Sequence, residues 1–162
     1  MLCALLLVGG CSAAAGSGTA PAPSTAVGAR ATSGTTQVGG LLTARIGGAS
    51  FRLRDTPTAA DQQRGLSGVE GLADDEGMLF RLGGPKVQGM WMKDMRFAID
   101  ILWVGADGTV VHLEHAVAPA TYPTVFRNPP DRPAVAVIEL AAGAASRNAI
   151  AVGSPVDLGG IR

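Results

Sequence analysis

The chain has 162 residues, with 13 basic and 13 acidic side chains and a formal net charge of zero. That length suits one domain, and the balanced charge excludes the basic footprint of a nucleic-acid binder or of a polybasic membrane-surface protein. Glycine and proline, 23 and 10 residues, make up about one-fifth of the chain against roughly 12% on average, whereas a 47% hydrophobic content is ordinary for a globular protein.

Two compositions are joined here. Residues 1–10, MLCALLLVGG, form an apolar stretch far shorter than the roughly 20 residues that span a bilayer. An apolar segment of this kind ahead of small residues is the core of a secretory signal. Val8-Gly9-Gly10-Cys11-Ser12 follows and resembles the lipobox of bacterial lipoproteins, in which cleavage before the cysteine leaves Cys11 as the lipid-attached amino terminus. No Lys or Arg precedes the apolar stretch, which suggests a true start a few codons upstream. With Cys3 inside the removed segment and Cys11 acylated, the mature chain keeps no thiol for a disulfide or a Cys-ligated zinc.

Residues 11–44 continue as a Gly/Ala/Ser/Thr/Pro tether with one charge, Arg30, and no aromatic side chain. Such a segment buries too little apolar surface to offset its conformational entropy, so it is expected to be disordered. Its flexible reach is roughly 30 Å. Residues 45–162 hold 25 of the 26 charged residues and all seven aromatics, and form a block long enough for a single core.

Within that block the pattern is mostly strand. Ser50-Phe51-Arg52-Leu53-Arg54 alternates apolar and polar residues, the mark of a half-buried strand. Thr56-Pro57 offers an N-cap and a first-turn proline for a helix over 57–64, closed by Gly65. Glu76 to Phe80 enters a strand that Gly83-Gly84-Pro85 is expected to end. Val87–Lys93 and Ala98–Val104 read as strands rich in Trp, Met, Ile and Val. Ala106-Asp107-Gly108-Thr109 is a hairpin turn leading into a strand over 109–118. Five prolines between Pro119 and Pro133 mark a long ordered loop or lid. Ala134–Leu140 is a further strand, 141–150 a short Ala-rich helix, and 154–158 a last strand. The fold class is mainly β, a sandwich or barrel with one or two short helices.

Arg64-Gly65-Leu66, Asp75-Glu76-Gly77-Met78-Leu79-Phe80, Trp91-Met92-Lys93, Ile99-Asp100-Ile101, Asp107-Gly108-Thr109-Val110-Val111 and Val137-Ile138-Glu139-Leu140 occur in this order. Together they resemble the domain-of-unknown-function 192 family, over about residues 51–158. The resemblance implies a compact, jelly-roll-like β fold in proteins that are often exported, and it implies no reaction. The chain departs from the family pattern at Lys93-Asp94-Met95, where Lys-Asn-Thr is usual, and at Ala98-Ile99-Asp100, where Pro-Leu-Asp is usual.

Asp100 stands in an apolar run, where an unpaired carboxylate is costly. Lys93 and Arg64 are its candidate partners, and with Trp91 as a stacking platform the four would line a binding pocket. The alternative is a fold-stabilising ion pair with Trp91 in the core. His112 and Glu114 share one strand face while His115 points away, and no third ligand accompanies them, so no metal and no cofactor is expected. No catalytic residue stands out, because Ser67 and Ser154 lack a nucleophile-elbow context.

Three functions fit these features. The first is a non-catalytic module bound to the membrane through its amino-terminal lipid, facing the extracytoplasmic side and binding a small molecule or an envelope protein. The second is a hydrolase-like envelope enzyme using Asp100 or Glu114 with Arg64 or Lys93. The third is an assembly or scaffold lipoprotein with an exposed apolar docking patch. In each case Cys11→Ala should move the protein from the membrane fraction to the soluble one, and its persistence in the membrane fraction would refute the lipobox reading.

Overall fold

The computed structural model describes residues 40–159. The signal segment, Cys11 and nearly all of the tether lie outside the described residues. The first strand, β1 (Leu41–Ile46), begins ahead of the composition-based boundary at residue 45. Leu42 pairs with Leu53, and Ala44 is wholly buried. An uncharged strand opening resembles an uncharged tether in composition, so only its pairing distinguishes it.

A two-glycine turn, Gly47-Gly48 at φ 61° and 107°, joins β1 to β2 (Ala49–Asp55). Helix α1 (Ala59–Arg64) then leads across to β3 (Glu76–Lys86), which pairs parallel to β2. A parallel neighbour needs a crossover of this kind. The helix starts later than Thr56-Pro57 suggested. Thr58 is the N-cap and accepts from the Asp61 amide, whereas Thr56 is buried and its hydroxyl donates to the Leu79 carbonyl at 2.8 Å. The sheet has claimed the first threonine, leaving the second to cap.

The chain continues through β4 (Gly89–Met90), β5 (Ile99–Val104) and β6 (Val110–Val117). One 3-10 turn at Pro119–Thr121 precedes β7 (Phe126–Arg127), β8 (Ala134–Ala141), helix α2 (Ala144–Arg147) and β9 (Val156–Asp157). Seven strands form one sheet in the order β6-β5-β8-β3-β2-β1-β9, antiparallel apart from β2/β3, and β4 pairs with β7 as a separate ribbon. All six residues of β5 are buried, as a continuous apolar run demands of a central strand covered on both faces.

The sheet curls. Its two outermost strands meet at one end, where the Val110 amide donates to the Ser154 carbonyl at 2.9 Å and the Val156 amide to the Gly108 carbonyl at 2.8 Å. The result is mainly β with two short helices, a half-barrel in place of separate stacked sheets. Its inner face carries Phe51, Leu53, Leu79, Leu102, Ile138 and Leu140. Ala144 and Ala145 of α2 are buried in this inner core and seal it. The outer face carries Met78, Phe80, Ile101, Trp103 and Val137, covered by Leu66 and Met92 from the loops. Gly77 sits where β3 and β8 press closest. A Cβ there would stand 2.5 Å from the Glu139 carbonyl oxygen and 2.7 Å from Leu140 Cδ2.

Two sequence expectations need correction. Strand β3 runs through Gly83-Gly84-Pro85, because a bulge between Arg81 and Lys86 absorbs the glycines while β8 remains its partner. The strand expected over Val87–Lys93 shrinks to Gly89–Met90, since its only strand partner is the two-residue β7. Beyond it the chain turns, with Asp94 at φ 57° and the Met95 amide donating to the Met92 carbonyl. Trp91, Lys93 and Met95 therefore share no strand face.

Candidate functional site

Asp100 lies on β5, completely buried and facing the inner core. One carboxylate oxygen accepts from the Ala116 amide at 2.8 Å and the other from the Ala145 amide at 2.9 Å. The expected pairing with Lys93 or Arg64 is absent, because backbone amides of β6 and α2 already occupy both oxygens. Lys93 is exposed, and its carbonyl accepts from the Ser67 hydroxyl at 3.0 Å. Arg64 is exposed in the last turn of α1. Asp100 faces the inner core, apart from exposed Arg64, Lys93 and Trp91, and of the four Trp91 is among the residues lining a cavity.

That cavity has a volume of about 400 Å³ and lies between α1, the end of β3 and the β4/β7 ribbon. Phe80, Leu82 and Met90 give it an apolar surface, with Trp91, 55% exposed, and Val125 beside them. The polar lining is three carboxamides, Gln62, Gln63 and Gln88, and one guanidinium, Arg127. The size falls within the range of small-molecule sites, which combine apolar walls with a few placed polar groups.

The ribbon, which contributes Gly89, Met90 and Arg127 to this lining, is fastened by Asn128, itself buried. Its side-chain oxygen accepts from the Gln88 amide at 2.8 Å, and its nitrogen donates to the Lys86 and Arg132 carbonyls at 3.2 and 2.7 Å. The indole of buried Trp103 adds a bond to the Gln88 carbonyl at 2.9 Å. The prolines mark 119–133 as a long ordered loop or lid but do not single out Arg127 within it. The usable signal was a cation beside an asparagine in a proline-rich turn.

Glu139, on β8, is buried between Met78 of β3 and Ile101 of β5 on the outer face. Its Oε2 has no hydrogen-bond partner, and among the described residues no arginine pairs with it. Burial pushes its pKa from 4.5 up to about 8, since a low-dielectric site disfavours the charged form. Asp75 is held below its ordinary value by hydrogen bonds that Arg52 donates through Nε and Nη2, each at 3.0 Å. His112 Nε2 lies 3.2 Å from Glu114 Oε1, beneath the Trp103 ring, and His115 is exposed.

With this geometry in view, a family model described as Uncharacterized ACR, DUF192, matches residues 42–158. The chain belongs to the DUF192 family. A comparison with curated proteins gives no match. Among solved structures, this DUF192 domain is similar to a Sinorhizobium meliloti 1021 protein provisionally described as a transcription regulator. The TM-score is 0.69 at 24% identity, covering 75% of this chain and 96% of that one. It is also similar to a protein of unknown function from Novosphingobium aromaticivorans DSM 12444. There the TM-score is 0.67 at 29% identity, covering 72% and 84%. The first likeness concerns the fold alone.

The two buried carboxyls of the DUF192 domain should respond oppositely to replacement by an amide. Asp100→Asn replaces an acceptor with a donor against a backbone N–H, and urea unfolding should show a loss of about 2–3 kcal/mol. Glu139 keeps its proton in the folded chain up to about pH 8, while the unfolded chain releases it above its ordinary value. Stability therefore falls as pH rises through that window, by on the order of 1 kcal/mol per unit, and levels off above it. Glu139→Gln should flatten that slope and stabilise the protein at pH 8. A uniform loss across all pH values would reveal a partner for the carboxylate.

Proposed function

We propose that the chain is a non-catalytic binding module of the cell envelope, anchored through a lipid on Cys11, that takes a small ligand in the cavity beside Trp91. The observation that carries this reading is the cavity itself, with an exposed indole over an apolar surface and a short polar set. Carboxamides and a guanidinium hold ligands well but do not exchange protons near neutral pH, so the lining is built for recognition and not for acid–base work. The hydrolase-like alternative loses its leading carboxylate, since both oxygens of Asp100 are engaged by backbone amides. The lipobox-like Val8-Gly9-Gly10-Cys11 and the tether after it support a location outside the cytoplasm, held near a membrane surface.

Native mass spectrometry of the full chain purified from its own host tests this. The wild type should carry a non-covalent small molecule, and Trp91→Ala should lose it with an unchanged melting temperature. Equal retention by both proteins, or an empty wild type, overturns the reading.

A further inference from the structure

The chemistry of the cavity is one-sided. Among the described residues of its lining Arg127 is the only ionised side chain, and no carboxylate accompanies it. Five other arginines find acids, Arg52 and Arg54 at Glu76, Arg81 at Asp55, Arg96 at Glu70 and Arg147 at Asp74, whereas Arg45, Arg64 and Arg132 lack an ion pair among the described residues but do not line the cavity. Among the described residues Arg127 has neither an ion pair nor a hydrogen bond from its side chain. The same holds for the side chain of Gln63, whereas the nitrogen of Gln62 is already spent on the Thr56 and Arg81 carbonyls at 3.3 and 3.0 Å. The unspent groups of the lining thus include a five-donor cation and a carboxamide, next to Phe80, Leu82 and Met90.

The position of Arg127 is also fixed in advance. Its backbone pairs with Gly89 in the ribbon, and the next residue, Asn128, is locked by its three bonds. Its Nε lies against the bare Cα of Gly89, where a Cβ would stand 3.4 Å from that nitrogen and 2.7 Å from Val125 Cγ1. Glycine at this point leaves the guanidinium room to lie along the cavity wall. A guanidinium fork projecting from this anchored backbone matches carboxylate and phosphate oxygens. The apolar surface beside it adds affinity only for a body that sheds water on entry.

We infer that the ligand class of this cavity is a small amphiphilic anion, one carboxylate or phosphate monoester on an apolar body, with Arg127 receiving the anionic oxygens and Trp91 and Met90 covering the body. This rests on the reading of the cavity as a ligand site. Both possible anions present negatively charged oxygens that a guanidinium fork can receive, and a set of eight-carbon probes separates them.

Octanoate, octyl phosphate, octanol and octylamine, each titrated into the full-length protein by calorimetry with Trp91 fluorescence as a second readout, provide the test. At least one of the two anions should bind about tenfold or more tightly than octanol, as a charge-assisted contact would give, and octylamine should be weakest. Stronger binding of octyl phosphate than of octanoate assigns the anion as phosphate, and the reverse order as carboxylate. Arg127→Gln should bring the anions to within about twofold of octanol without lowering the melting temperature, and Arg127→Lys should recover part of the preference. If octanol binds as tightly as the anions, or if Arg127→Gln keeps the preference, the inference fails while the cavity reading stands. Binding of none of the four also overturns it, and the mass-spectrometric comparison of Trp91→Ala then decides the cavity reading on its own.

Discussion

A carboxylate with no cation beside it holds the inner half of this molecule together. Asp100 is buried in a central strand, and its two oxygens receive one amide from β6 and one from α2. Burying a charge this way is tolerable because the carboxylate is met by backbone donors whose own pairing would otherwise be incomplete. The bonds tie three elements at one point. They set the edge strand β6 against β5 and bring Ala144 and Ala145 into the inner core. The half-barrel can then bring β6 and the β9 region together at Val110 and Ser154. Without that point the short helix, only four residues long, would lack the length to hold itself in place.

The outer face is organised by a different device. Asn128 and Trp103 bond to the backbone around Gln88, and through it they fix a two-stranded ribbon that has no ladder to the main sheet. An isolated two-stranded ribbon is marginal in water, so these side-chain bonds substitute for the missing strand neighbour. The cavity exists because the ribbon stands off the sheet instead of joining it. Glu139 is buried on the same outer face, yet it is absent from the cavity lining. It acts on the fold through its proton and not through a partner.

Much of the fold was legible from local pattern. The alternation in Ser50–Arg54, the Asp107-Gly108 turn and the apolar run of Ile99–Val104, broken only by Asp100, each report a local constraint, and each element is present. The candidate site was legible only in Trp91. Lys93 and Asp100 are close in the chain, which favoured pairing them, but Asp100 faces the inner core while Lys93 sits in an exposed loop. Nothing in the spacing reports that an irregular turn at Asp94 intervenes. Arg127 and Trp91 lie 36 positions apart, and their approach depends on a ribbon of two residues per strand.

The sequence by itself determined the mainly β class of the fold, the family and the Asp107-Gly108 turn, because periodicity and backbone conformation are properties of neighbouring residues. The tertiary structure alone decided which buried carboxyl is satisfied, which is not, and which cation is left facing a cavity. Those outcomes depend on which distant amides and side chains arrive at each group. Asp100 and Glu139 both stand in apolar strands and look alike in the sequence. One meets two amides and holds the core, and the other meets none and keeps its proton.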